Sequence, residues 1–137
     1  MLLVDSNVVF SLLVRNTPWH LAARELHGLD GDWRTESHAL VEISNVLSRF
    51  VRVGELSGAK ALALMSEADQ HMRPMMLTVA HVEALRVALK HKVSAYDARF
   101  LLCVAELGSK LITEDVKLRK SAPGLTQSLE DALAART

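Results

Sequence analysis

Four carboxylates are distributed along the 137 residues at places where chemistry is commonly done. Asp5 ends the apolar run Leu2-Leu3-Val4, Glu42 lies on a helix that follows a second candidate strand, Asp97 opens a later helix, and Asp115 follows the strand-like Lys110-Leu111-Ile112-Thr113. In an open parallel sheet, ligands bind just beyond the carboxyl ends of the strands, so these acids are expected to share one cleft. Gathered there, they would repel one another and raise one another's pKa unless a positive charge sat between them. An all-oxygen donor set points to Mg²⁺ or Mn²⁺ rather than zinc, and magnesium takes only one or two carboxylates directly, leaving positions open for phosphate oxygens. That is phosphodiester chemistry. Each acid also has a plain structural reading: Asp5 as a cap, Glu42 as a solvated helix residue, Asp97 as the reciprocal acid of a capping box begun by Ser94, and Asp115 as a first-turn acid favoured by the helix dipole.

The elements that must carry these acids alternate between strand and helix. Leu2 to Val4 has no polar break and reads as a strand buried on both faces. Val8, Val9, Leu12 and Leu13 follow at helical spacing, with Ser6 or Asn7 as cap. Thr17-Pro18 is expected to open a second helix with Leu21, Ala22, Leu26 and Leu29 inward. A short strand over Asp32 to Glu36 precedes a helix from Ser37 to Val53, whose apolar stripe is Leu40, Ile43, Val46, Leu47, Phe50 and Val51. Leu56 to Met72 forms the next helix, with Leu62, Leu64 and Met65, and Pro74 breaks it. Met75 to Val79 reads as a buried strand. A helix then carries Val82, Leu85, Val87 and Leu89, and another, from Ser94, carries Phe100, Leu101, Val104 and Leu107 inward until Gly108 stops it. After the strand at Leu111 come a short basic helix from Val116 to Lys120, an edge strand near Leu125 and a last helix from Leu129. The expectation is an α/β fold, a parallel sheet covered by helices on both faces, in one domain spanning residues 1–137.

Composition narrows the class. Hydrophobic residues make up 50% and charged residues 23%, which is globular composition. Sixteen basic residues balance sixteen acidic ones, so nucleic-acid binding must rest on local patches. The single cysteine, Cys103, cannot close an internal disulfide and sits among apolar neighbours, which suits a buried thiol in a reducing cytoplasm. No apolar run approaches membrane-spanning length, and no leader pattern opens the chain. The six histidines fall on separate elements without a zinc-binding pattern, and no Gly-rich phosphate loop or Gly-x-Ser-x-Gly elbow is present.

In order, the apolar strand with Asp5-Ser6-Asn7-Val8, then Val41-Glu42-Ile43-Ser44-Asn45-Val46-Leu47, then Ser94-Ala95-Tyr96-Asp97-Ala98, then Leu111-Ile112-Thr113-Glu114-Asp115-Val116-Lys117-Leu118 resembles the PIN-domain ribonucleases, most closely the single-domain VapC-type toxins of bacterial toxin–antitoxin pairs. The resemblance covers nearly the whole chain. It implies a three-layer α/β/α sandwich, an acidic quartet of Asp5, Glu42, Asp97 and Asp115 binding Mg²⁺, with Mn²⁺ as a possible substitute, and Asn7 and Thr113 as polar neighbours. It also implies a homodimer and a small antitoxin whose tail lies in the acidic cleft. Thr113 and Asp115, two apart, share a side if the strand continues, which directs Asp115 and not Glu114 to the site.

The expected activity is metal-dependent endoribonucleolytic hydrolysis of RNA. Asp5 and Asp97 would hold the principal ion, and Glu42 and Asp115 would act through water, orient the nucleophile or help hold a second ion. The ion would activate and align water and stabilise charge on the leaving oxygen. Attack by water should leave a 5′-phosphate and a 3′-hydroxyl. Arg15, Arg49, Lys90, Lys92, Lys117 and Arg119 are candidates for holding the RNA backbone. So few aromatic residues offer little for extensive base stacking, which leaves RNA shape and accessible loops to set the choice of target. A receiver domain would need an acceptor Asp in Met75 to Val79, and a haloacid-dehalogenase-type phosphatase would need an acid where Asn7 stands. A catalytically silent module of the same fold, binding RNA or protein, is the remaining alternative.

Overall fold

Leu2, Leu3 and Val4 are almost completely enclosed, and their side chains enter two different cores, as alternation along a strand demands. Leu2 and Val4 pack with Val8, Leu26, Trp33, Ile43 and Leu64, while Leu3 packs with Ala39, Phe100, Leu101 and Leu118. The computed structural model describes every residue from Met1 to Thr137. Its strands are β1 (Leu2–Val4), β2 (Trp33–Glu36), β3 (Met76–Leu77), β4 (Leu111–Ile112) and β5 (Thr126–Gln127). Its helices are α1 (Ser6–Leu13), α2 (His20–Leu29), α3 (His38–Arg52), α4 (Gly58–Met72), α5 (His81–His91), α6 (Ala95–Leu107), α7 (Val116–Ser121) and α8 (Leu129–Ala134), with a 3₁₀ turn over Arg73–Met75 at Pro74.

The strands form one sheet in the order β3-β2-β1-β4-β5, every pair parallel. Its register sets Leu3 beside Arg34 on one side and Leu111 on the other. β4 repeats the logic of β1, with Ile112 in the first core and Leu111 in the second. Helices α1 to α4 and α8 supply the first core, and α5 to α7 with Ala39 supply the second. This is the α/β/α sandwich expected from the sequence. Cys103 is buried in the second core, and burial pushes its thiol up to about 12, so it is an inert packing group.

Several helix faces differ from the periodicity reading. Leu21 is 78% exposed and Leu29 is also outward, while Ala23 and Leu26 face the core. Leu62 is exposed on α4, and Val82, Leu85 and Leu89 are exposed on α5, where Ala84 and Ala88 are buried instead. Small residues let a helix approach its neighbours closely, and a count of large apolar residues overlooks them. Helix α2 begins at His20 without a side-chain cap, two residues after Pro18. Gly108 ends α6 with φ of 64°, a left-handed conformation that glycine adopts without a Cβ clash, and Lys92 ends α5 in the same region.

Candidate active site

Asp5 stands immediately past β1 and is only 5% exposed. One of its oxygens accepts the Val8 N–H at 3.0 Å, making Asp5 the cap of α1, and the other accepts the Thr113 hydroxyl from beyond β4. The cap expected at Ser6 or Asn7 is therefore Asp5 itself. Burial drives the Asp5 carboxyl up to about 7; the bonds from Thr113 and Val8 oppose this, and the charges of Glu42 and Asp115 add to it.

The other three acids are held from separate elements. Asp115 caps α7 by accepting the Leu118 N–H at 3.0 Å, and its own N–H donates to Thr113 Oγ1 at 3.1 Å, so one threonine ties both acids together. Glu42, one turn into α3, accepts the Ser6 hydroxyl at 2.7 Å on Oε2. Its Oε1 is buried with no hydrogen-bond partner and lies 4.0 Å from His38 Nε2. Burial raises the Glu42 pKa, the Ser6 bond and His38 oppose the rise, and Asp97 and Glu36 reinforce it. Asp97 lies in the first turn of α6, where its N–H donates to Ser94 Oγ at 3.0 Å. The reciprocal carboxylate bond is not made, so the expected capping box is half formed; the complete one is Ser128 with Asp131. Burial and the charge of Asp115 raise the Asp97 pKa.

The four acids thus sit past β1, on α3 past β2, at the start of α6 and past β4, and they are coupled through their charges. Glu42 and Asp97 line an open cleft of about 780 Å³ with His38, Asn45, Ser94 and Tyr96. A second concavity, about 680 Å³, lies among α1, α2 and α4 and is lined by Leu12, Trp33, Leu64 and Met72. It contains none of the four acids and is mostly apolar. No group of three or more His, Cys, Asp or Glu side chains is tight enough to hold a metal ion by itself. An ion that takes one or two carboxylates directly and keeps its waters would suit such a set, and Glu42 Oε1, which accepts no hydrogen bond, is an available oxygen ligand.

Of the polar neighbours, Thr113 is buried and bonded to Asp5, whereas Asn7 is exposed and makes no hydrogen bond. Ser6 takes the linking role on α1, a part that an ordinary cap residue does not advertise. Glu114 turns away and accepts the Leu129 N–H at 2.6 Å. Arg119, considered for RNA, is committed to the Thr113 carbonyl at 2.7 Å and to Glu114, and Arg15 lines the apolar concavity. A buried ion pair also went unread: Arg99 Nη2 donates to Glu36 Oε1 at 2.8 Å.

The raised acids set a pH dependence with a definite sign. Asp5, Glu42 and Asp97 keep their protons in the folded chain to higher pH than in the unfolded chain, so their contribution to stability is complete below the ordinary values of 3.8 for Asp and 4.5 for Glu and is lost as pH rises through the raised values, which for Asp5 is about 7. A divalent ion reverses this by favouring the ionised site. Mg²⁺ should therefore stabilise the chain by about 2–3 kcal/mol at about pH 8 and hundredfold excess over its Kd, and far less at about pH 5. Thermal melts with Mg²⁺ and with chelator check this. A shift that does not depend on pH would mean the ion binds elsewhere.

Comparison with known proteins accords with this architecture. Residues 2–122 match the family model of the PIN domain. Ribonuclease VapC3 of Pyrobaculum aerophilum is 30% identical over 133 residues, which is 90% of this chain and 96% of that protein. Among solved structures, that of PAE2754 from Pyrobaculum aerophilum superposes with a TM-score of 0.73 at 21% identity, covering 97% of this chain and 86% of that one. FitAcB from Neisseria gonorrhoeae gives 0.66 at 15% identity, covering 95% and 99%. These two are likenesses of fold. With the family model running from Leu2 to Ala122 over a parallel sheet that carries Asp5 past β1 and Asp115 past the adjacent β4, the chain belongs to the PIN-domain family.

Proposed function

We propose that this chain is a metal-dependent endoribonuclease of the VapC type, acting as the toxin of a toxin–antitoxin pair. The observation that carries the reading is the gathering of Asp5, Glu42, Asp97 and Asp115 at one end of the sheet, where Thr113 bonds to both Asp5 and the Asp115 N–H, and burial, with neighbouring acids adding to it, drives Asp5 up to about 7. Such crowding destabilises the fold unless a cation uses it. Asp5 and Asp97 would hold the principal Mg²⁺, for which Mn²⁺ would substitute, and Glu42 and Asp115 would act through water, orient the nucleophile or help hold a second ion. When bound, the ion supplies positive charge that makes water a better nucleophile and stabilises the leaving oxygen. The chain's own groups do the positioning. Val8 N–H and the Thr113 hydroxyl fix the Asp5 carboxylate, and the Ser6 hydroxyl fixes Glu42, leaving its Oε1 to accept the proton of the attacking water.

Arg49, Lys90, Lys92 and Lys117 hold the RNA backbone at the rim. The exposed stripe Val82, Leu85 and Leu89 on α5 supports burial of this helix against a second copy of the chain. The VapC-type likeness supports an antitoxin partner whose tail occupies the acidic cleft, and action in the cytoplasm. No helix is long and apolar enough to cross a membrane.

The deciding experiment incubates the purified chain with total RNA in Mg²⁺ and in chelator and determines the new ends. Cleavage only with metal, giving 5′-phosphates and 3′-hydroxyls, is expected. Equal cleavage in chelator, or 2′,3′-cyclic phosphates, would overturn the reading.

A further inference from the structure

One feature of the acidic cleft has no part in holding an ion. Tyr96, the only tyrosine of the chain, is 62% exposed although it adjoins Asp97 at the start of α6. Its ring lies against His38, with centroids 4.9 Å apart and planes 15° from parallel, and both rings line the cleft with Glu42 and Asp97. His38 is the more enclosed of the two, fixed at the start of α3 where its backbone N–H donates to Glu36 Oε2 at 2.7 Å. One face of the tyrosine is therefore backed by an anchored ring, and the exposed remainder is left for something else flat.

The rest of the lining is polar: of the nine residues, seven are not hydrophobic. Ser44 gives its hydroxyl to the Val41 carbonyl and Ser48 accepts from Arg52, while the exposed Asn45 amide has no partner and offers both donors and an acceptor. An aromatic face beside a free amide is the combination that single-stranded RNA recognition uses, stacking a splayed base and reading its edge. The cleft volume of about 780 Å³ falls within the roughly 300–1,000 Å³ typical of small-molecule sites.

We infer that Tyr96, backed by His38, is a stacking platform for one unpaired nucleobase of the RNA, next to the bond that is cut, with Asn45 reading the base edge. This rests on the ribonuclease reading and deepens it. The site selects for an unstacked base beside the scissile phosphate, so structured RNA is a substrate only where a loop or end supplies one. Tyr96 acts in binding, and its loss moves KM while leaving kcat in place.

The test uses a short single-stranded oligoribonucleotide and fluorescence anisotropy in an Asp5→Asn background, with Tyr96→Ala and Tyr96→Phe added. Tyr96→Ala should weaken binding about tenfold or more and Tyr96→Phe should not, since the ring and not the hydroxyl stacks. An oligonucleotide with an abasic position at the platform should bind the parent and the Tyr96→Ala variant alike. Cleavage kinetics of the otherwise wild-type chain should show the same tenfold rise in KM for Tyr96→Ala. Equal affinity of all three forms, no measurable binding by the parent, or an altered sedimentation rate with unaltered binding would overturn the platform. Absence of cleavage by the wild-type chain would instead overturn the ribonuclease reading, and the anisotropy comparison would still decide the platform.

Discussion

Asp5→Asn is expected to abolish RNA cleavage, by on the order of 10³-fold or more, while the chain stays folded. The two halves of this result have different causes. Loss of activity follows from removing the charge that Asp5 contributes to holding the ion. Retention of the fold follows from the hydrogen bonds: asparagine caps a helix about as well as aspartate, and its carbonyl oxygen can keep the Val8 N–H bond of 3.0 Å. The Thr113 hydroxyl, which donates to Asp5, can rotate to accept from the new amide. In chelator at pH 8 the variant should melt no lower than wild type, and higher to the extent that burial, which drives the Asp5 value up to about 7, makes its charge costly. A variant that still cleaves with Mg²⁺ would sink the assignment of Asp5, and one that melts far lower would make Asp5 a structural cap and nothing more.

The second large effect concerns stability. Glu36, at the end of β2, is fully buried, and burial alone would raise its pKa. Hydrogen bonds from Arg99, the His38 N–H and Ser37, with the Arg99 charge, outweigh that and hold it below the usual carboxylate value. Arg99 also reaches the Val79 carbonyl at 3.3 Å and faces His81 at 3.2 Å. The pair therefore ties β2 and the start of α3 to α6, which are the two helices that bear Glu42 and Asp97. Arg99→Leu leaves a buried carboxylate without its counter-charge and should cost about 3–5 kcal/mol, or roughly 10–20 °C in Tm. In wild type, the Glu36 contribution is present above the ordinary value of 4.5 and is lost as pH falls through its lowered pKa. Without Arg99 the shift reverses, so the gap in Tm between the two forms should be widest near neutral pH and narrow on acidification. Adding Glu36→Gln to Arg99→Leu should recover part of the loss. A gap unaffected by pH would show that the arginine matters through packing rather than charge.

How far the sequence discloses this arrangement depends on whether the signal is local. An unbroken apolar run such as Leu2 to Val4 can only be a strand enclosed on both sides, and β1 is one. An acid placed after such a run, or after a strand followed by helical spacing, is similarly legible, which is why Asp5, Glu42, Asp97 and Asp115 stand out together. Thr113 is legible through its two-residue step to Asp115. Ser6 is not, because its partner Glu42 lies 36 residues away and only the fold reveals the bond. The same holds for Glu36 and Arg99, separated by 63 residues. On α5, large apolar residues mark an exposed stripe and alanines mark the buried one, so periodicity identifies the helix and misassigns its inner side.

The position of β1 between β2 and β4 has a consequence for how the protein is made. Leu3 is translated long before Leu111, yet it needs Leu111 as a neighbour, and the Asp5–Thr113 bond spans 108 residues. A nascent chain that already holds Asp5 has neither Thr113 nor Asp115 until at least 108 further codons have been read, so the ribosome carries an unfinished and inactive enzyme beside its own message. Contacts so distant along the chain also close slowly, which widens the interval between synthesis and the first cut.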